Sequence, residues 1–172
     1  MAYRYDVFPY PARDPEDERD RLLTGSPSDL REIDHYIYDG CRDWSKPFRV
    51  LIAGGGTGDG LVMLAQQLHD ANADYEIVYV DRSEKSADVA RQRLKIRGLK
   101  SADFIVGDFL DLDDASGFDY VDCCGVLHHL PDPQAGFAKI ASLIRPDGGM
   151  GGMVYAPLGR TGVYPLQSAF GK

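Results

Sequence analysis

From Phe48 onward the chain alternates without a break between short apolar runs and amphipathic stretches, and that alternation leaves very few folds open. Strand candidates lie at 49–53, 76–80, 103–107, 118–124 and 150–156. Between the first two, Leu61, Leu64, Ala65 and Leu68 recur at i, i+3, i+4 and i+7, the stripe of a helix with one buried face. A second helix is predicted over about 84–97 and stops at Gly98, a residue suited to the left-handed position after a helix end. The fourth connection carries an N-cap at Asp132, Pro133 in the first turn and a predicted face of Phe137, Ile140, Ala141 and Ile144, with Pro146 and Gly148 ending it. The third connection, Asp108 to Gly117, is too short and weakly periodic for more than a brief helix. Apolar strands separated by helices predict a parallel sheet covered on both faces, and right-handed crossovers make it a doubly wound α/β fold with strand order 3-2-1-4-5.

Ahead of this region, residues 1–27 are rich in Pro, Asp, Glu and Arg and show no sustained period, which reads as a loose or draped extension. Ser28 and Asp29 open a helix whose Leu30, Ile33, Ile37 and Cys41 fall at helical spacing through Gly40, and Pro47 closes the segment. The chain therefore divides into an extension with a cap helix, 1–45, and a main domain, 46–172. Nineteen basic against twenty-seven acidic residues give a net charge of −8, which excludes a general nucleic-acid or anionic-membrane surface. No apolar run approaches a membrane span, and the N-terminus lacks the apolar core of a signal peptide. Cys41 and the adjacent Cys123 and Cys124 are a poor disulfide framework, so a cytoplasmic setting is expected.

The chemistry is expected just past the strand ends, because ligands of open α/β sheets bind outside the carboxyl ends where the winding reverses. After strand one comes Ala53-Gly54-Gly55-Gly56-Thr57-Gly58, a turn in which the backbone can bend sharply and approach a ligand before a helix opens. Its spacing is G-x-G-x-G and not the G-x-G-x-x-G of dinucleotide sites. After strand two, Asp81 is placed to accept both hydroxyls of a ribose. After strand three, Asp108 can accept from an adenine amino group with Phe109 beside the ring. After strand four the run is Cys123-Cys124-Gly125-Val126-Leu127-His128-His129-Leu130.

Over roughly residues 48–157 these motifs, together with Leu143-Ile144-Arg145-Pro146-Asp147-Gly148-Gly149, resemble in order and spacing the class I S-adenosylmethionine-dependent methyltransferases, which have a Rossmann-like fold. The resemblance implies S-adenosyl-L-methionine as cofactor. It places Gly54, Gly56 and Gly58 against the methionine part, Asp81 on the ribose, Arg82 beside the adenine, and Asp108 with the Phe109 backbone on the adenine edge. Cys124 and Gly125 would line the floor near the sulfonium. Two departures stand out. Many members carry an acid where this chain has Ala53, so a carboxylate near the methionine amino group is missing or supplied elsewhere. The family's sheet usually ends in an antiparallel hairpin, for which this chain has no room after strand five, so a C-terminal part is expected to be missing.

Methyl transfer from a sulfonium disperses charge, so the protein chiefly aligns the reactants and excludes water. A base is required only for an acceptor that arrives protonated, and His128 and His129 are the candidates. Adjacent strand residues point to opposite faces, so Cys123 and Cys124 do not share a metal, and none is expected. The acceptor, a small molecule or a protein, would meet the loop bearing Tyr155, Arg160 and Tyr164. A lid would come from Thr24–Ser28 and the helix bearing His35, Tyr36 and Tyr38. Rival readings are a non-catalytic cofactor-binding module and a nicotinamide-binding domain. The oligomeric state is not legible.

Overall fold

A computed structural model describes residues 4–156 and 158–170; Pro157, in the loop singled out above, and the extreme termini lie outside the described residues. A short helix α1 (Arg4–Val7) and a single 3-10 turn at Pro15–Arg19 precede α2 (Leu30–Tyr38). The sheet then alternates with helices: β1 (Phe48–Ala53), α3 (Asp59–Asp70), β2 (Tyr75–Asp81), α4 (Glu84–Ile96), β3 (Asp103–Val106), β4 (Phe118–Cys124), α5 (Pro133–Leu143) and β5 (Ile144–Met153), with α6 (Val163–Phe170) last. All five strands are parallel in the order β3-β2-β1-β4-β5, as the alternation predicts.

Pleat alternation divides the core into two layers. Val50, Ile52 and Tyr120 face α3 and α4, where Leu61, Leu64, Leu68, Ala87, Ala90 and Leu94 pack on them. Leu51, Ala53, Val121 and Cys123 face α5 through Ile140 and Leu143. The caps are local chemistry. The Ser83 hydroxyl accepts from the Ser86 N–H at the start of α4, and Asp132 accepts from Gln134 and Ala135 at the start of α5.

Three expectations need correction. The face of α5 is Gly136, Ile140 and Leu143, whereas Phe137 and Ala141 point to solvent. Apolar spacing alone permits either stripe, and Gly136 wins because Leu130 and Leu127 pack onto its missing side chain. Strand five starts at Ile144 and ends at Met153 instead of spanning 150–156. A register shift, with Ile144 opposite Phe118 but Gly149 opposite Tyr120, accommodates Pro146 on this edge strand. Asp29 caps α2 as the Ser28–Asp29 start predicts, accepting from the Arg31 N–H, but the helix ends at Tyr38 and Cys41 lies beyond it.

Of the two readings of the N-terminal extension, loose or draped, the structure bears out the draped one. Glu18 is 6% exposed and its carboxylate meets Arg93 of α4 at 2.6 Å and also Arg97. Arg93 is itself 1% exposed and donates to the Thr57 carbonyl at 2.8 Å and to Asp59 at 2.7 Å. Asp59 takes a second, two-pronged pairing from Arg13. Farther along, the Ser28 carbonyl accepts from Gln67 of α3, while Pro27 packs where Gly151 leaves room on β5. Removing Arg93 would strand Glu18 in the interior, so Arg93→Ala is expected to cost about 3–5 kcal/mol. Urea unfolding measures this as a lowered midpoint at unchanged slope, and a loss below about 1 kcal/mol contradicts the network.

Candidate functional site

The carboxyl ends of β1, β2 and β4 and the N-terminal extension together enclose one cavity of about 610 Å³. Gly54, Gly56, Asp81, Arg82, Asp108, Phe109, Cys124 and Gly125 all line it, and His129 and Tyr155 stand on its wall. Residues spread over a hundred positions of sequence thus converge because each follows a parallel strand whose end opens on the same side of the sheet.

Asp81 is the most organised group. Its carboxylate accepts from the Gly56 N–H and the Ser83 N–H, each at 2.8 Å, which fixes both oxygens at the turn after β2. Burial pushes its pKa up, and the amide donors pull against that rise without cancelling it. Asp108 lines the cavity and accepts from the Leu110 N–H, capping the 3-10 turn Phe109–Asp111. The Phe109 ring is 4% exposed and belongs mainly to the α5-side core, so little of it is available to cover a ligand ring.

The glycine turn serves the protein's own packing as much as a ligand. Gly56 has φ +52°, and a Cβ there would come 2.6 Å from the Tyr10 carbonyl oxygen. Gly58 has φ +93°, and a Cβ there would lie 2.8 Å from Ala90 Cβ of α4. Both backbone conformations favour glycine, and the space each leaves is filled by the extension or the neighbouring helix. The turn is also covered: the Thr57 hydroxyl donates to the Pro11 carbonyl at 2.7 Å, and the Thr57 N–H points to the Tyr10 carbonyl at 3.4 Å.

Among the described residues, Ala53, Gly58, His128, Arg160 and Tyr164 do not line the cavity. Ala53 faces the α5 layer, and by strand alternation it is Ile52 that reaches the cavity wall. His128 stacks between its neighbours: its ring centroid lies 4.1 Å from that of His129 and 3.9 Å from that of Tyr155. Neither of its ring nitrogens has a hydrogen-bond partner, and burial pushes its pKa down. Arg160 covers the Tyr155 ring at 3.9 Å, so it braces the wall from behind, while Tyr164 sits exposed on α6. No group of three or more His, Cys, Asp or Glu among the described residues could hold a metal ion. The cysteines are free, and burial raises the Cys123 thiol to about 12.

Thr24–Ser28 line the cavity, but the helix bearing His35, Tyr36 and Tyr38 does not. Tyr38 reaches the Asp119 carbonyl near the opposite, amino end of β4. Tyr10, Pro11 and Arg13 are wall residues that no periodicity signals. Asp122 is another, and it had a visible signal: an acid inside the apolar run of a strand buried on both faces.

Comparison with known proteins agrees with this arrangement. The family model described as a methyltransferase domain matches residues 51–150, well over half the chain. An uncharacterized protein of Synechococcus sp. is 35% identical over 174 aligned residues, which cover 96% of this chain and 39% of that protein. A ubiquinone biosynthesis O-methyltransferase of Coxiella burnetii is 35% identical over 94 residues, 54% of this chain and 38% of its own. The YcgJ protein of Bacillus subtilis shares the fold, with a TM-score of 0.51 at 23% identity over 59% of this chain and 42% of its own. The chain spans about two fifths of the length of the curated relatives it matches. With the strand order, the glycine turn and the cavity above it in place, the chain belongs to the methyltransferase-domain family.

Proposed function

We propose that this chain binds S-adenosylmethionine in the cavity and is the cofactor-binding core of a methyltransferase. The observation that carries the reading is Asp81, a half-buried carboxylate held by backbone amides at the end of β2, with no cation paired to it among the described residues. Such a group suits a vicinal diol, which can donate two hydrogen bonds to it without bringing charge. The donor set fits the cofactor in its other parts too. Arg82 and Asp108 border the adenosine end, and Cys124 and Gly125 form the floor next to His129 and Tyr155. The bound cofactor would supply a methyl group on a positively charged sulfur, open to attack from the side opposite that sulfur.

The protein's own part is alignment and exclusion of water. Tyr10, Pro11 and Thr24–Ser28 form one wall of the cavity, fixed there by the Glu18–Arg93 pair, the Thr57–Pro11 bond and the Ser28–Asp122 bond. The acceptor's side is the wall of His129, Tyr155 and Met153, where Tyr155 is 37% exposed. For an acceptor that arrives protonated, His129 is the cavity-facing base, and His128, stacked behind it, positions the ring. The acceptor is a small molecule or a protein, the negative charge of the chain disfavours nucleic acid, and the three free thiols support a cytoplasmic setting. No helix among the described residues is long and apolar enough to cross a membrane.

A dinucleotide fits poorly. Its pyrophosphate needs the amide groups where the glycine turn enters the helix. Here the Thr57 donors are turned to the Tyr10 and Pro11 carbonyls, which takes them from a phosphate. Calorimetric titration is therefore expected to show binding of S-adenosylhomocysteine and none of NAD; tight NAD binding contradicts the reading.

The role of Asp81 has its own test. Ligand hydroxyls favour the ionised carboxylate, whereas burial in the free protein favours the protonated one. Affinity for S-adenosylhomocysteine should therefore fall as pH is lowered through the raised Asp81 pKa, starting above the ordinary carboxylate range. Asp81→Asn should reduce that pH dependence and weaken binding by about 1–3 kcal/mol. An unchanged affinity and pH profile would take Asp81 out of the site.

A further inference from the structure

Three carboxylates among the described residues are less than a tenth exposed: Glu18, Asp119 and Asp122. Glu18 is paired with Arg93 and Arg97, and Asp119 with Arg145 at 2.8 Å. Asp122, 5% exposed, has no cation within ion-pair reach among the described residues. Its partners are the Ser28 hydroxyl, in a short hydrogen bond, and the backbone N–H of Cys124. A carboxylate this deeply buried is costly without a counter-charge, and Asp122, with one hydroxyl and one amide on it and an opening on the cavity, leaves acceptor capacity for an arriving cation.

Its position says which cation. Asp122 lies opposite Ile52 in the β1–β4 register, and both line the cavity. At Gly60, in the first turn of α3, a Cβ would come 2.7 Å from Asp122 Oδ2, so the glycine keeps this side of the carboxylate clear of a side chain. Asp81 stands at the end of β2, on the other flank of β1. Two strand spacings, roughly 10 Å, separate the strands that carry the two acids. A ligand bridging them needs a diol at one end and a cation at the other, joined by a short chain across the glycine turn.

We propose that Asp122 receives the α-ammonium of the methionine part of the cofactor. The inference rests on the S-adenosylmethionine reading above and adds the contact that distinguishes the amino-acid end from the nucleoside. The carboxylate comes from β4, and the same group anchors Ser28, so the wall segment and the ligand's charge share one receptor. An acceptor amine is a poorer occupant. Pairing with a buried carboxylate would hold it as an ammonium, which has no lone pair to attack with.

The test compares two ligands that differ at that end. S-adenosylhomocysteine carries the ammonium, whereas 5′-methylthioadenosine keeps the nucleoside and sulfur but lacks the amino-acid part. By calorimetry, Asp122→Asn is expected to weaken S-adenosylhomocysteine tenfold or more and to leave 5′-methylthioadenosine within about twofold, the pattern for loss of one charged hydrogen bond. Equal weakening of both ligands, or no weakening of either, overturns the assignment. A second measurement needs no variant: the deamino analogue of S-adenosylhomocysteine should bind the unaltered protein at least tenfold more weakly than the parent, and equal affinity overturns the inference. If the unaltered protein binds neither S-adenosylhomocysteine nor 5′-methylthioadenosine, the cofactor reading itself fails and this inference falls with it.

Discussion

Arg93 sits in the last turn of α4 with 1% of its surface exposed, and three other parts of the molecule meet on its guanidinium: Glu18 from the extension, the Thr57 carbonyl of the glycine turn, and Asp59 of α3. Buried ion pairs repay their desolvation only when geometry is good and every donor is used, so the value of this one is less net stability than placement. It ties the extension at Glu18 to the glycine turn and α3. With Glu18 held, Arg13 reaches Asp59 and the Tyr10 and Pro11 carbonyls settle on Thr57, which turns an open sheet end into a walled cavity.

That wall decides what the glycine turn can bind. In a bare doubly wound domain the same turn offers unpaired amides to a phosphate. Here the extension has used the Thr57 donors, and the cavity beyond carries, at Asp81 and Asp122, carboxylates without counter-cations among the described residues. Their different settings suit different partners: Asp81, held by amides, for neutral hydroxyls; Asp122, held by one hydroxyl and one amide, for a charged group. A ligand with a diol and a positive charge matches this wall, and a polyanion does not.

The sheet and its order were legible because hydrophobic period and cap residues act locally: Leu61 to Leu68, Ser83, Asp132 and Gly98 each carry their meaning within a few positions. Asp81 and Cys124 were legible because strand ends all open on one side. The ion network was not. Arg93 reads as one more polar residue of an amphipathic helix, and its partner Glu18 lies 75 positions away in a segment with no period. Nor could the sequence say which neighbour fills the space a glycine leaves; Tyr10 over Gly56 and Ala90 over Gly58 are tertiary facts. The outward turn of Phe137 and the early start of β5 at Ile144 share that origin, since packing on Gly136 and a register shift beside an edge strand override local pattern. Asp122 stood in plain view as an acid in an apolar strand, but its meaning depended on the absence of a counter-charge, which only the folded structure reveals.

The account turns on what occupies the cavity and in which direction it lies. A crystal structure of the protein grown with S-adenosylhomocysteine tests this most directly. The account requires the ribose hydroxyls on the Asp81 carboxylate and the sulfur above Cys124 and Gly125, with Tyr10, Pro11 and Thr24–Ser28 closed over the ligand. A ligand bound elsewhere, or in this cavity with the nucleoside at the β4 end, would contradict it.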